Sequence, residues 1–119
     1  AKNLCDFAVK GADITVQPDF LKFAVDMHKP GKPIGLMCIA PAMSARIFGD
    51  GVDCTIGTDA ETAAAIEAMG ANHISCPVEE AVIDRKRKLV TTPAYMLAGN
   101  VAEAAGGIHR LVDEVLAMC

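Results

Sequence analysis

The chain has 119 residues, and 52% of them are hydrophobic although it contains only four Phe, one Tyr and no Trp. This is the length of one small domain, with a core of aliphatic side chains and alanine. Eleven Lys and Arg against 15 Asp and Glu give a net charge of −4, and no basic block is long enough to cover a phosphate backbone, so we expect no nucleic-acid partner.

The first predicted element is an amphipathic helix over residues 18–28. Its start is marked by Pro18 and Asp19, and the Pro-Gly pair at 30–31 ends it. The predicted inner face has helical spacing and consists of Phe20, Phe23, Ala24 and Met27.

A short apolar run without alternation, PIGLMC at 33–38, follows this helix. Such a run is typical of a central parallel strand that is covered on both faces. Pro41 suits the first turn of a second helix, which we predict to run to Gly49. The segment VDCTI at 52–56 is then a second short strand.

The second half of the chain repeats this pattern. Thr58, Asp59 and Glu61 supply a capping signal for a helix that ends at Gly70. Its predicted inner side consists of Ala64, Ala65, Ala68 and Met69. Two strands at 81–84 and 89–92 enclose the charged turn RKRK, and a last helix is predicted over 98–118.

Strands that alternate with helices predict an α/β layered fold with a mostly parallel sheet. About four strands are available, and the first helix has no strand before it. We therefore expect residues 1–119 to be the C-terminal part of a larger single domain.

Neither a metal site nor a disulfide framework is indicated by the five cysteines at positions 5, 38, 54, 76 and 119. They include no C-x-x-C pair and no regular spacing. We expect a reducing compartment, a cytoplasmic location and no cofactor. The longest uncharged run, residues 33–45, contains two prolines and is too short to cross a bilayer, so no membrane partner is expected.

Cys38 stands at the end of the first predicted strand and just before a helix. A nucleophile at such a sharp strand-to-helix turn is exposed above the sheet, and the helix amides would stabilise a thiolate. The amide of Ile39 would then lie beside an oxyanion that forms next to the sulfur. A buried, inert thiol remains the alternative, because cysteine is among the most buried residue types.

Five segments together resemble the ElbB-type glyoxalase-like proteins of the PfpI-like superfamily, which includes the parkinsonism-associated deglycase and is related to class I glutamine amidotransferases. They are AKNLCDFA, GKPIGLMCIAPAM, TIGTD, MGANHISCPVEE and LVTTPAYMLAGNVAEAAGGI. The resemblance implies a flavodoxin-like three-layer sandwich, a homodimer, and an N-terminal half of the same domain as partner. A carboxylate beside the cysteine and one oxyanion-hole amide would then lie outside this sequence.

The resemblance also implies roles for particular residues. His73 aligns with a histidine that deglycase-type relatives place near the cysteine, and acid or base catalysis and a structural position are both open. Thr92 and Tyr95 would line the substrate pocket, with strand-end packing and an interface contact as their alternatives. From their sequence neighbours, His28 is interpreted as a solvated or capping residue at the end of a helix, and His109 as a surface or interface residue inside the last helix.

The activity implied is the cofactor-independent conversion of glyoxal, or a similar small dicarbonyl, to a 2-hydroxy acid such as glycolate. At two places the sequence differs from other branches of the superfamily, which weighs against the activities of those branches. TTPAYM occupies the place of the glutaminase His-x-Glu, and Ile39 stands where the peptidases have a histidine after the cysteine. A non-enzymatic redox sensor or stress-associated protein that uses an oxidisable Cys38 remains the alternative from another class.

Overall fold

The computed structural model describes the whole chain, residues Ala1–Cys119. Five α-helices are present: α1 (Phe7–Lys10), α2 (Pro18–His28), α3 (Ser44–Phe48), α4 (Ala60–Ala68) and α5 (Val101–Ala117). Five strands accompany them: β1 (Ile34–Met37), β2 (Asp53–Cys54), β3 (Asn72–His73), β4 (Val82–Asp84) and β5 (Leu89–Thr92). Short 3-10 helices lie at Gly11–Asp13, Ala40–Met43 and Ala94–Met96. None of the helices has the length and apolar composition that crossing a membrane requires.

The strands form two small sheets that lie side by side. One has the order β1-β5-β4, with β1 parallel to β5 and β4 antiparallel to it, and the other is the parallel pair β2-β3. Side chains join the two sheets, since the Thr91 hydroxyl accepts a hydrogen bond from the Thr55 N–H at 3.0 Å. The Asp84 carboxylate likewise accepts from the Asp53 N–H at 3.0 Å.

Helices cover both faces of the sheet containing β1 and β5. Leu36 and Leu89 point into the main core cluster, to which α2, α3 and α4 contribute buried side chains. The alternate residues face α5, since a Cβ added to Gly35 would lie 2.6 Å from the Leu111 side chain. The architecture is therefore the predicted α/β arrangement of helix, mostly parallel sheet and helix.

Side chains cap helix starts, and the cap of α4 is the predicted one. The Asp59 carboxylate accepts a hydrogen bond from the Thr62 N–H at 2.9 Å and starts α4. The Asn100 side chain does the same for α5 through the Glu103 N–H, also at 2.9 Å. Helix α2 has the predicted bounds, and the charged turn at 85–88 joins β4 to β5 as predicted.

Four details of the sequence prediction are wrong. Strand β1 was predicted to be central, but it lies at the edge of the sheet with the order β1-β5-β4. The strand predicted at 52–56 is only two residues long, and its partner β3 was not predicted, because a two-residue strand leaves no periodic pattern. In α4 the buried residue is Ile66, whereas Ala64 and Ala68 are exposed; Met69, which follows the helix, is buried as predicted. In α2 only Ala24 is buried, and Phe23 is 61% exposed.

Candidate functional site

Cys38 follows directly after β1 and adopts a left-handed backbone conformation, with a φ of 63°. This conformation costs about 1–2 kcal/mol for a residue with a side chain. It turns the chain sharply from the strand toward the 3-10 helix Ala40–Met43, and α3 continues from there. The thiol is half-buried at the carboxyl end of β1, where open α/β sheets commonly bind ligands.

Strand β5 holds this turn in place. Met37 is in register with Thr92, and the next N–H along the chain, that of Cys38, donates to the Thr92 carbonyl at 3.1 Å. The Thr92 side chain is fully buried, and its hydroxyl donates to the Glu80 carbonyl at 2.7 Å. Thr92 therefore positions the cysteine through its backbone, and a hydroxyl contact with substrate stays a prediction.

The amide of Ile39 has no hydrogen-bond acceptor within the chain. Ile39 immediately precedes the 3-10 helix Ala40–Met43, and its N–H donates no hydrogen bond within the chain. Pro41 in the first turn of this helix has no N–H at all. The Ile39 N–H is thus an unbonded donor that follows Cys38 directly in the sequence. This agrees with the predicted oxyanion role of Ile39 but does not test it.

The structure does not join His73 to Cys38. His73 ends β3 in the two-stranded sheet, whereas Cys38 follows β1 in the other sheet. The His73 Nε2 atom accepts a hydrogen bond from the Ile56 N–H at 3.1 Å, which occupies the lone pair that a general base would use. Burial lowers the pKa of His73 from its ordinary value and outweighs the opposing charge of Glu67, so the ring is held neutral.

Tyr95 lies in the 3-10 helix Ala94–Met96 just beyond β5, and 64% of its surface is exposed. Its neighbour Ala94 is completely buried and has a φ of 45°. Both β1 and β5 are thus followed by a strained non-glycine residue at the same sheet edge. Nothing in the sequence indicates this, because alanine gives no signal for a left-handed conformation.

The other cysteines have different surroundings. Burial raises the pKa of the Cys54 thiol and of the Cys76 thiol to about 11 in each case, which favours the unreactive protonated form. Cys5 is buried as well, and Cys119 is exposed near the chain end. Cys38 is therefore the partly accessible thiol at the carboxyl edge of the sheet.

No enclosed cavity surrounds Cys38. Three surface cavities are present, and Cys38 lines none of them. No group of three or more His, Cys, Asp or Glu side chains is placed to hold a metal ion. Cys38 and the unbonded Ile39 amide therefore lie outside all three cavities.

The relatives of similar sequence include three mitochondrial proteins, and no protein-family model matches the chain. The human glutamine amidotransferase-like class 1 domain-containing protein 3, mitochondrial, is 42% identical over 125 residues, which covers 98% of this chain and 46% of the relative. The rat ES1 protein homolog, mitochondrial, is 40% identical, with 98% and 47% covered. The zebrafish ES1 protein, mitochondrial, is 29% identical, with 80% and 39% covered.

A solved structure confirms the fold. It is an isoprenoid biosynthesis protein with an amidotransferase-like domain from Ehrlichia chaffeensis, 26% identical to this chain, with a TM-score of 0.85. The match covers 99% of this chain and 54% of that one. The predicted flavodoxin-like α/β class is therefore correct, and the chain spans about half the length of the proteins that it matches.

The comparisons correct one prediction. We expected a cytoplasmic protein, but the human, rat and zebrafish relatives are all mitochondrial proteins. The expectation rested on the unpaired cysteines, which indicate a reducing environment and do not separate the cytoplasm from an organelle. The comparisons support the resemblance to proteins with an amidotransferase-like class 1 domain. They do not single out the narrower ElbB-type glyoxalase-like branch.

Proposed function

We propose, from the relationship of this chain to the glutamine amidotransferase-like class 1 domain proteins, that it supplies the nucleophilic cysteine of a small-dicarbonyl enzyme. The substrate would be glyoxal or a similar compound, and the product a 2-hydroxy acid such as glycolate. The observation that carries the proposal is the left-handed Cys38 at the end of β1, with the unbonded N–H of Ile39 next to it. Strain of this kind at a strand end is typical of functional residues.

The reaction needs no external oxidant or reductant. The Cys38 thiolate adds to one aldehyde carbon of glyoxal and forms a C–S bond, and the carbonyl oxygen becomes an alkoxide that the Ile39 N–H stabilises. After protonation of this alkoxide, a base removes the proton from the same carbon and gives an enediol. Protonation of the neighbouring carbon, with loss of the hydroxyl proton on the sulfur-bearing carbon, then yields the glycolyl thioester of Cys38. Water attacks the thioester, the C–S bond breaks, and glycolate leaves with the thiol restored.

The base is the open part of this proposal. His73 could serve only after giving up the hydrogen bond from Ile56. A carboxylate from outside the 119 residues is the alternative that the family resemblance implies. A general base must come within hydrogen-bond reach of the proton that it removes, so one of these groups must approach the hemithioacetal.

The proposal is tested by following glycolate formation from glyoxal with the protein at the length that its gene encodes. Cys38→Ser should lower kcat/KM by about 100-fold or more, because the nucleophile is lost. Cys119→Ser is the matched control, since it removes an exposed thiol elsewhere, and it should leave the rate unchanged. Activity within about threefold of the parent in Cys38→Ser would overturn the proposal.

Two measurements on the parent protein separate the enzyme from a redox sensor. A sensor would form no glycolate, whereas its Cys38 would be oxidised by dilute hydrogen peroxide faster than Cys119. Mass spectrometry of the two peptides gives both rates. That pair of results would replace the enzymatic proposal with the non-enzymatic one.

A further inference from the structure

The largest cavity of the chain lies at the end of the sheet opposite to Cys38. Its volume is about 490 Å³, which falls within the range of about 300–1,000 Å³ that small-molecule sites occupy. Pro33, which lines it, directly precedes β1, and Lys88, which lines it too, directly precedes β5. Cys38 instead follows β1. A ligand in this cavity would therefore be separate from the proposed reactive site.

One side of the cavity is apolar. Helix α2 supplies Met27, α5 supplies Val115, and Met118 directly follows α5. Together with Pro33 these half-buried side chains form what we call the apolar wall. Methionine side chains are flexible and adapt to ligands of different shape. No Asp or Glu side chain is among the lining residues, so nothing on this surface would repel an anion.

Two lysines without a counter-ion complete the lining. Neither Lys32 nor Lys88 forms an ion pair within the chain. By contrast, Lys22 pairs with Asp26 at 2.6 Å. Lys88 is also half-buried, so its ammonium group has lost part of its water shell. Partial burial of a charge costs free energy, which a bound anion would offset.

The backbone holds Lys88 at the cavity. Its carbonyl accepts a hydrogen bond from the Ile34 N–H at 2.9 Å, which fixes the residue to the start of β1. Its Nζ atom lies 3.8 Å from the position that a Cβ on Gly31 would occupy. The ammonium group thus lies over a residue that has no side chain and that also lines the cavity. A cation on a fixed backbone loses less freedom when an anion binds.

We propose that this cavity binds a carboxylate that carries a short alkyl chain. The carboxylate would lie beside the ammonium groups of Lys32 and Lys88, and the alkyl chain would contact the apolar wall. A neutral apolar ligand would leave both cations without a partner, and a small polar anion would leave the apolar wall in water. The proposal does not rest on any reactivity of Cys38.

Calorimetric titration of the protein at the length that its gene encodes tests the proposal, with sodium octanoate as the probe. We expect saturable binding of one octanoate per chain. Hexanoate should bind about tenfold more weakly, because two buried CH₂ groups are lost. Octanol has the same chain length without the charge and should also bind at least about tenfold more weakly. No saturable binding of octanoate, or octanol that binds as tightly as octanoate, would overturn the proposal.

Lys88→Gln removes one of the two ammonium groups and should weaken octanoate binding by about tenfold. Lys86→Gln is the matched control, because Lys86 belongs to the same turn, is exposed and does not line the cavity. It should bind octanoate like the parent, and circular dichroism verifies that both variants fold. Equal affinities of the two variants would contradict the proposal, since Lys88 would then make no contact with the carboxylate.

Cys119 reports where the ligand binds, because it lines the cavity and is exposed. Octanoate should slow the alkylation of Cys119 by iodoacetamide, which mass spectrometry of the peptides follows. Cys38 lines no cavity, so its alkylation rate should stay unchanged. Binding that leaves Cys119 unprotected would overturn the proposal, whatever the glyoxal assay shows.

Discussion

The Thr92 carbonyl accepts a hydrogen bond from the Cys38 N–H at 3.1 Å, while the Thr92 hydroxyl donates to the Glu80 carbonyl at 2.7 Å. One residue at the end of β5 thus ties the cysteine turn to the segment that precedes β4. The residue predicted to touch substrate has its polar groups engaged within the fold. Its position explains how a strained turn at Cys38 is kept in place.

Thr92→Val tests this positioning role. The variant keeps the shape of the side chain but leaves the Glu80 carbonyl without the Thr92 hydroxyl as its donor, so the free energy of unfolding should fall by about 1 kcal/mol. Urea denaturation measures it. Thr58→Val is the control at an exposed threonine and should change stability by less than about 0.5 kcal/mol. A stable Thr92→Val with a raised KM for glyoxal would instead indicate a substrate contact.

The packing of α5 against Thr92 gives a second prediction. A Cβ at Gly107 would lie 2.3 Å from the Val78 carbonyl oxygen and 2.6 Å from the Thr92 hydroxyl. Gly107→Ala must therefore move α5 away from β5, and it should lower stability by about 1–3 kcal/mol.

Gly106→Ala is the matched control, one residue earlier on the same helix. Its Cβ would meet only the Glu79 side chain, at 3.4 Å. It should raise the free energy of unfolding by about 0.5–1 kcal/mol, because alanine favours a helix over glycine. Thermal unfolding of both variants provides the measurement, and equal effects of the two would show that α5 does not approach β5 so closely.

Much of the fold could be predicted because its signals are local. Helix α2 and strand β5 have the bounds that proline, capping and apolar runs indicate. The two-residue strands β2 and β3 could not be delimited, because their pairing depends on contacts distant in sequence. Phe23 is exposed although its spacing marks it as core, since the edge of the sheet beside it has no partner strand in this chain.

The site was predictable to a smaller extent. The strand, turn and helix around Cys38 follow from apolar patterning and Pro41. Periodicity carries no information about the left-handed φ values of Cys38 and Ala94, which tertiary contacts impose. It equally could not show that the His73 ring accepts a hydrogen bond from the Ile56 backbone, seventeen residues away.

His73 gives a prediction for pH dependence. Burial lowers its pKa below the ordinary 6.5, so at pH values between the folded pKa and 6.5 the unfolded chain binds more protons than the folded one. Stability should therefore be complete above 6.5 and fall as the pH drops below it. His73→Gln keeps an acceptor for the Ile56 N–H but does not titrate. The parent should lose more stability than this variant between about pH 7.5 and about pH 5.5, as urea midpoints measure it.

Glu67→Gln sharpens this test. The Glu67 carboxylate raises the pKa of His73 and so partly offsets the effect of burial. Its removal should lower the pKa of His73 further, which NMR titration of the ring protons detects directly, and it should steepen the loss of stability below pH 6.5. If the pKa of His73 instead lies above its ordinary value, the ring carries a positive charge that a neighbouring anion stabilises. That result would contradict a half-buried, neutral imidazole that accepts a hydrogen bond from the Ile56 N–H.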